Sequence, residues 1–262
     1  MATNYTVQIH PTACVHPKAQ IGEGVDVGPY CVVGEHVTIG PGTRLMSHVV
    51  LDGYTEIGER CEIYPGAVIG TRSQDLKYRG GVTRVRIGDQ NTVREYVTVH
   101  TATGEESETF IGDRNLIMAY AHIAHDCRIE DGVIIANAVT MGGHVTIESQ
   151  AIVGGMVGIH QFVRVGRLSI IGGFSKLVKD IPPFMMADGH PVKVFGINRL
   201  GLERAGLEPR CRDELKKAHR LLYRSDLAVT QALARIEKEL ASYPELTHLV
   251  RFIRESERGI TK

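Results

Sequence analysis

Residues 109–147 read TFIGDRNLIMAYAHIAHDCRIEDGVIIANAVTMGGHVTI, with Ile111, Ile117, Ile123, Ile129, Ile135, Met141 and Ile147 at every sixth position. Working outward, the same phase holds through Ile9, Val15, Ile21, Val27, Val33, Ile39, Leu45, Leu51, Ile57, Ile63, Ile69, Ile87, Val93 and Val99 on one side. On the other it continues through Val153, Ile159, Val165, Ile171 and Leu177. Only Asp75, Gly81 and Glu105 break it, and they fall in two polar stretches, Thr71 to Arg84 and Thr101 to Glu108, which read as loops leaving a regular body. Two residues before most of the large aliphatics stands a smaller one, such as Ala13, Cys31, Thr43, Ala67, Ala121, Cys127 or Ala151. Alternate side chains of a strand share a face, so both members of the pair point inward. A glycine often follows the aliphatic (Gly22, Gly40, Gly88, Gly112, Gly154, Gly172), and its backbone freedom suits a corner.

Each hexad is therefore a short strand and a corner, and three hexads make a triangular coil of eighteen residues. Coils stacked about 4.8 Å apart give a prism roughly 40 Å long. A hexapeptide period of this kind marks a mainly β fold, a parallel β-helix. Strands of a sandwich do not hold phase over so many repeats.

Composition narrows the function. Thirty basic and thirty acidic residues cancel, so nothing points to nucleic acid. No stretch reaches the apolar length of a membrane span, and the residues before the repeat are too few for a signal peptide. The five cysteines form no CxxC pair, and Cys31, Cys61 and Cys127 occupy inward positions, as reduced core residues of a cytoplasmic protein would.

The hexads stop after Leu177, and Asp180-Ile181-Pro182-Pro183 suits an exit from the coil. The expected division is a β-helix domain over 1–190 and a helical domain over 191–262. The latter begins with an extended connector through about residue 195. Pro209 then opens a helix, Ser225 caps a second, and Pro244 opens a third.

In the uninterrupted stretch, residues eighteen apart lie above one another. Asp126 then sits under His144, His125 under Gly143 and Gln161, and Gly142 under His160, with His122 on the approach. A neutral imidazole takes a proton from an alcohol near neutral pH, and an adjacent carboxylate orients the ring. Glycine at 142 and 143 leaves backbone N–H groups open to an oxyanion. No GxSxG elbow is present, so direct attack by a substrate hydroxyl fits better than an acyl-enzyme. His122, His125 and His144 alternatively form a zinc-ligand set. In the first loop, Asp75 and Lys77 are candidates for binding sugar hydroxyls and phosphate.

These segments resemble the acyl-carrier-protein–UDP-N-acetylglucosamine O-acyltransferases, which begin lipid A biosynthesis. The likeness is carried by Gln74-Asp75-Leu76-Lys77-Tyr78, His122-Ile123-Ala124-His125-Asp126-Cys127, Gly142-Gly143-His144-Val145, Ile159-His160-Gln161-Phe162, Phe195-Gly196-Ile197-Asn198 and Gly201-Leu202-Glu203-Arg204, and it spans the chain. It implies a left-handed prism, a homotrimer with clefts between subunits, and no metal or organic cofactor. The implied reaction moves an R-3-hydroxyacyl group from acyl carrier protein to the 3-hydroxyl of UDP-N-acetylglucosamine. His125 matches the base, Asp126 its orienting partner and Gly143 the oxyanion donor. Asp75, Lys77, His122, His144, His160 and Gln161 match substrate contacts, Asn198 and Arg204 the nucleotide end, and Gly173 the position governing acyl length. Ala205, where relatives often carry a second basic residue, and the loop Thr101-Ala102-Thr103-Gly104 depart from the pattern. Two rival readings remain: an acyltransferase for an amine of a related nucleotide sugar, and a non-catalytic scaffold that binds partners through its helical tail.

Overall fold

The computed structural model describes residues 6–262. Its strands, mostly two residues long, line up in three sheets of eleven, nine and eight strands that form the faces of a left-handed parallel β-helix. Where the repeat is unbroken the register is eighteen residues, as in Ile117↔Ile135 and Ile135↔Val153. Beside the loops it lengthens to Ile63↔Val93 and Val99↔Ile123, then resumes without losing phase. Nearly every inward aliphatic is buried, and Cys31, Cys61 and Cys127 lie among them. Each fully buried side chain contributes about 1.5–3 kcal/mol.

The corners correct the expectation about glycine. The left-handed backbone sits three residues after most of the aliphatics and is mostly carried by other residues, among them Gln90 (φ 56°), Asp126 (59°), His144 (60°) and Phe162 (64°). Gly40 and Gly154, directly after the aliphatic, are needed for close approach instead. A Cβ on Gly40 would stand 2.5 Å from the Gly58 carbonyl carbon, and one on Gly154 would stand 2.6 Å from the Gly173 nitrogen. The coils touch at these points.

Past Leu177 the chain does not run straight to the helices. Met185–Asp188 adds one more parallel strand beside Ile170–Ile171, then pairs antiparallel with Lys193–Ile197. The boundary expected at 190 falls in the turn of this hairpin, whose second strand replaces the extended connector. Helix α1 (Arg199–Arg204) follows, capped by Asn198, then α2 (Pro209–Tyr223), α3 (Val229–Glu239) and α4 (Pro244–Arg254). Pro209 and Pro244 open their helices as expected, whereas Ser225 does not cap α3, its oxygen accepting from Leu227 N–H at 3.4 Å before that helix begins. Its hydroxyl donates to the Leu221 carbonyl at 2.6 Å, closing the end of α2, and α3 starts at Val229.

The helices form a second core with Leu168, Phe184 and Met185 from the end of the prism. Between the two cores Glu148 is buried and accepts from His248 Nε2 at 2.7 Å and Arg167 N–H at 2.8 Å. Burial alone would raise this carboxyl, but the His248 bond and charge, with Arg167 and Arg164, hold it below its ordinary value. Arg164 also lies over the Phe252 ring at 4.2 Å.

Two substitutions separate the two corner positions. Gly40→Ala forces a methyl into the Gly58 backbone and is expected to cost about 2–4 kcal/mol, as a strained overpacked site does. Gln90→Gly relieves a left-handed side chain worth about 1 kcal/mol and leaves stability equal or slightly higher. Denaturant unfolding of both proteins checks the pair.

Candidate active site

One face of the prism, built on His122–Ile123, Thr140–Met141, Gly158–Ile159 and Lys176–Leu177, floors a cleft of about 910 Å³. His122, His125, His160, Gln161, Gly142 and Gly143 line it, with Asp75 leaning in from the first loop. His125 is 5 % exposed and holds the centre. Its Nδ1 lies 2.8 Å from Asp126 Oδ2, and its Nε2 faces the cleft 3.9 Å from Asp75 Oδ2. The ring lies against Gly143, where an added Cβ would overlap it.

Asp126 sits in the left-handed corner position, which turns its carboxylate back onto the preceding ring. The same oxygen accepts from Thr103 N–H at 3.1 Å and lies 3.6 Å from His144 Nε2. Thr103 Oγ1 contacts Ser73 Oγ at 2.8 Å, and Ser73 Oγ accepts from Asp75 N–H at 3.1 Å. The second loop, which had no functional signal in its sequence, thus ties Asp126 to the first loop through Thr103.

His144 stacks on Phe162 (centroids 4.6 Å, planes 6° apart) and stands behind Asp126, outside the cleft lining. His122 directs Nδ1 to Thr98 Oγ1 at 2.8 Å, and burial, with His100 and His125 nearby, lowers its pKa below the ordinary imidazole value. The zinc set drawn from the sequence is not the one assembled. The ligand atoms that come within 4.8 Å of one another belong to His125, Asp126 and His144, while His122 faces Thr98.

The corner N–H groups two residues after the aliphatic are used differently on different edges of the prism. Those of Glu59, Asp89 and Asp113 are each taken by an aspartate, at 2.8, 2.8 and 2.9 Å. On the edge that follows the cleft strands, the N–H groups of His125, Gly143 and Gln161 have no acceptor among the described residues.

Four predicted residues stand apart. Lys77 is exposed on the first loop, its N–H donating to Asp75 Oδ1 at 2.9 Å. Gly173 lies under the rim, where a Cβ would meet the Gly155 carbonyl oxygen at 3.2 Å, and Phe174 beside it projects into the cleft. Asn198 and Arg204 line a separate hollow with Gln150, Ile152 and Leu168. There the Asn198 oxygen accepts from Gly201 N–H at 3.1 Å, capping α1, and its amide donates to the Leu168 carbonyl of the prism at 2.9 Å, so both ends of this side chain are engaged.

Residues 180–261 match the family described as UDP N-acetylglucosamine O-acyltransferase, domain 2, and residues 108–143 match the bacterial transferase hexapeptide. A protein of Thermodesulfovibrio yellowstonii named acyl-[acyl-carrier-protein]–UDP-N-acetylglucosamine O-acyltransferase is 49% identical over 256 residues, covering 97% of this chain and 99% of its own. The chain belongs to the UDP-N-acetylglucosamine O-acyltransferase family. Another member, from Gloeothece citriformis, is 51% identical over 79% of the chain and 75% of its own length. Among solved structures, LpxA from Acinetobacter baumannii is 44% identical with a TM-score of 0.94, covering 97% of this chain and 99% of that one. The LpxA of Bacteroides fragilis is 39% identical with a TM-score of 0.95, covering 97% and 100%. The protein is accordingly an O-acyltransferase, and the scaffold reading falls.

In such an acyltransferase the pH dependence of folding follows from His122. Its folded pKa is depressed, so the unfolded chain takes up a proton first and stability declines as pH drops below about 6.5. His122→Gln is expected to flatten this decline without removing it, because burial also holds His219 down. Urea midpoints at pH 7.5 and 5.5 measure it. Asp126→Asn, which spoils ring orientation, is expected to lower kcat at least 10²-fold with little change in KM.

Proposed function

We propose that this acyltransferase moves an R-3-hydroxyacyl chain from acyl carrier protein to the 3-hydroxyl of UDP-N-acetylglucosamine, the first step of lipid A biosynthesis, in the cytoplasm. The observation that carries the chemistry is the His125–Asp126 pair opening onto a cleft beside an uncommitted N–H at Gly143. His125 Nε2 takes the proton from the sugar hydroxyl as its oxygen attacks the thioester carbonyl. Asp126 holds the Nδ1–H and stabilises the imidazolium, and the Gly143 N–H receives the oxyanion. Collapse of the tetrahedral intermediate breaks the C–S bond, and the imidazolium returns its proton to the departing thiolate.

Asp75 faces His125 Nε2 from the loop, which suits it to bind the sugar hydroxyls beside the reacting one. His122, His160 and Gln161 complete the acceptor's surroundings, and Lys77 supplies charge to the nucleotide phosphates. His144 acts through Asp126. The hollow of Asn198 and Arg204 lies by strands of a different face from the cleft, so one chain alone does not unite them. A homotrimer would set that hollow of one subunit against the cleft of the next, with Arg204 holding phosphate and Asn198 shaping the hollow through its cap. Exposed Tyr30, Tyr96, Tyr120, Met156 and Phe174 along one corner supply apolar surface for such packing. Acyl length is then governed at Gly173 and Phe174.

His125→Ala is expected to lower transfer from hydroxyacyl-carrier protein by 10²-fold or more while the protein stays folded. Near wild-type transfer by that variant refutes the base. Offering 3-hydroxyl and 3-amino acceptors side by side tests the rival acceptor, and preference for the amine overturns the hydroxyl assignment.

A further inference from the structure

The two loops that leave the prism are tied together at both ends. At the start of the first loop, Thr101 N–H donates to the Thr71 carbonyl at 2.9 Å. Near its end, Glu106 N–H donates to the Val82 carbonyl at 2.8 Å, and Glu105 Oε1 accepts from Val82 N–H at 3.1 Å. Between these ends the first loop runs over the surface, with Gln74, Leu76 and Lys77 exposed. Ser73 is the exception, at 6 % exposed. Its bond to Thr103 Oγ1 is the one hydrogen bond that residues 73–80 make outside their own loop, among the described residues.

Followed through its partners, this bond closes a circuit around the base. Asp75 N–H donates to Ser73 Oγ at 3.1 Å, and Ser73 Oγ lies 2.8 Å from Thr103 Oγ1. Thr103 N–H donates to Asp126 Oδ2 at 3.1 Å, and that oxygen lies 2.8 Å from His125 Nδ1. The circuit is open at one place, the 3.9 Å between His125 Nε2 and Asp75 Oδ2, where both residues line the cleft. This separation is too long for a direct hydrogen bond and suits one hydroxyl bonded to both groups. Lys77 N–H holds Asp75 Oδ1 at 2.9 Å, which leaves Oδ2 for the gap.

The two sides of the gap are fixed by different means. His125 and Asp126 belong to the coil, and Asp126 N–H donates to Thr109 Oγ1 at 2.9 Å. Asp75 stands on a loop whose turn is joined to the body only through Ser73. A reacting group misplaced by about 1 Å loses on the order of 10²-fold in rate, so the length of this link matters to the chemistry.

We propose that the Ser73 and Thr103 hydroxyls form a positioning bridge that sets the distance between Asp75 and His125, and so where the acceptor hydroxyl stands relative to its base. This deepens the reaction assigned above and rests on it, since the acceptor is the sugar alcohol that Asp75 binds. Neither Ser73 nor Thr103 lines the cleft, so both act through other residues. Thr103 serves the two sides by separate groups, its backbone N–H for Asp126 and its hydroxyl for the loop, and substitution can divide them.

The test uses Thr103→Val, which keeps the shape and the N–H but deletes the hydroxyl, Ser73→Ala, their double variant, and Thr103→Ser, which restores the hydroxyl. Transfer is measured with each substrate varied in turn, and thermal melts establish that every protein is folded. Thr103→Val and Ser73→Ala are each expected to raise KM for UDP-N-acetylglucosamine and lower kcat/KM for it about tenfold, with KM for the acyl carrier protein held within about twofold. Thr103→Ser recovers wild-type kinetics. The double variant is no worse than the poorer single one, as for two halves of one bond. Should Thr103→Val fold poorly, Ser73→Ala reads the same KM. Wild-type acceptor kinetics in both single variants overturn the bridge. Losses that add in the double variant, or that fall equally on the two substrates, assign these hydroxyls to loop stability alone and overturn it as well. A wild-type protein that acylates no sugar hydroxyl removes the reaction on which the bridge rests, and that result is read before any variant is made.

Discussion

Parallel hydrogen bonding between coils governs everything else in this molecule. Each coil donates N–H groups to carbonyls one turn further on, as from His122 to Val139 and from Gly142 to Ile159, and this fixes a constant register. Because a one-residue slip would turn every inward aliphatic outward, the burial of the core enforces the same register. The site exists only through that agreement. His125, Gly143 and His160 are distant in the chain and share a cleft because the spacing between coils never drifts between them.

The inward pattern and the stacked histidines were legible because they follow from a period and need no long-range contact to be inferred. Three features were not. Thr103 holds Asp126 through its backbone N–H, and a backbone donor leaves no mark on residue identity. Ser225 has the chemistry of an N-cap, yet its hydroxyl donates to a carbonyl four residues back and its oxygen accepts from Leu227 N–H, before α3 begins. The hairpin of Met185–Asp188 and Lys193–Ile197 has no hexad phase, and its pairing depends on the end of the prism being there to receive it. The glycines were recognised for position but assigned the wrong cause. They yield space to the next coil, while residues with side chains accept the left-handed corner at about 1–2 kcal/mol each.

That corner conformation also serves chemistry. A left-handed residue turns its side chain along the prism edge, so at 126 it brings a carboxylate beside the preceding imidazole and at 144 it brings a second imidazole behind that carboxylate. Asp126 Oδ2 is then held by a ring and a loop N–H, with His144 close by, which restrains it on all sides that matter for orienting His125. On another edge of the prism, aspartates one position before the left-handed residue take the N–H groups of Glu59, Asp89 and Asp113. The edge that borders the cleft carries no such acids and places rings there instead.

The hairpin and helices that close the prism have a consequence beyond holding a second core. A stack of identical coils has no intrinsic reason to stop, since its last turn offers a row of unpaired amides to any passing strand. Here Lys193–Ile197 runs in the opposite direction, and Phe184, Met185 and Leu168 are roofed by helix side chains, so the template finishes on a surface that cannot nucleate another layer. The tail that completes the enzyme therefore also keeps its scaffold from growing into a fibre.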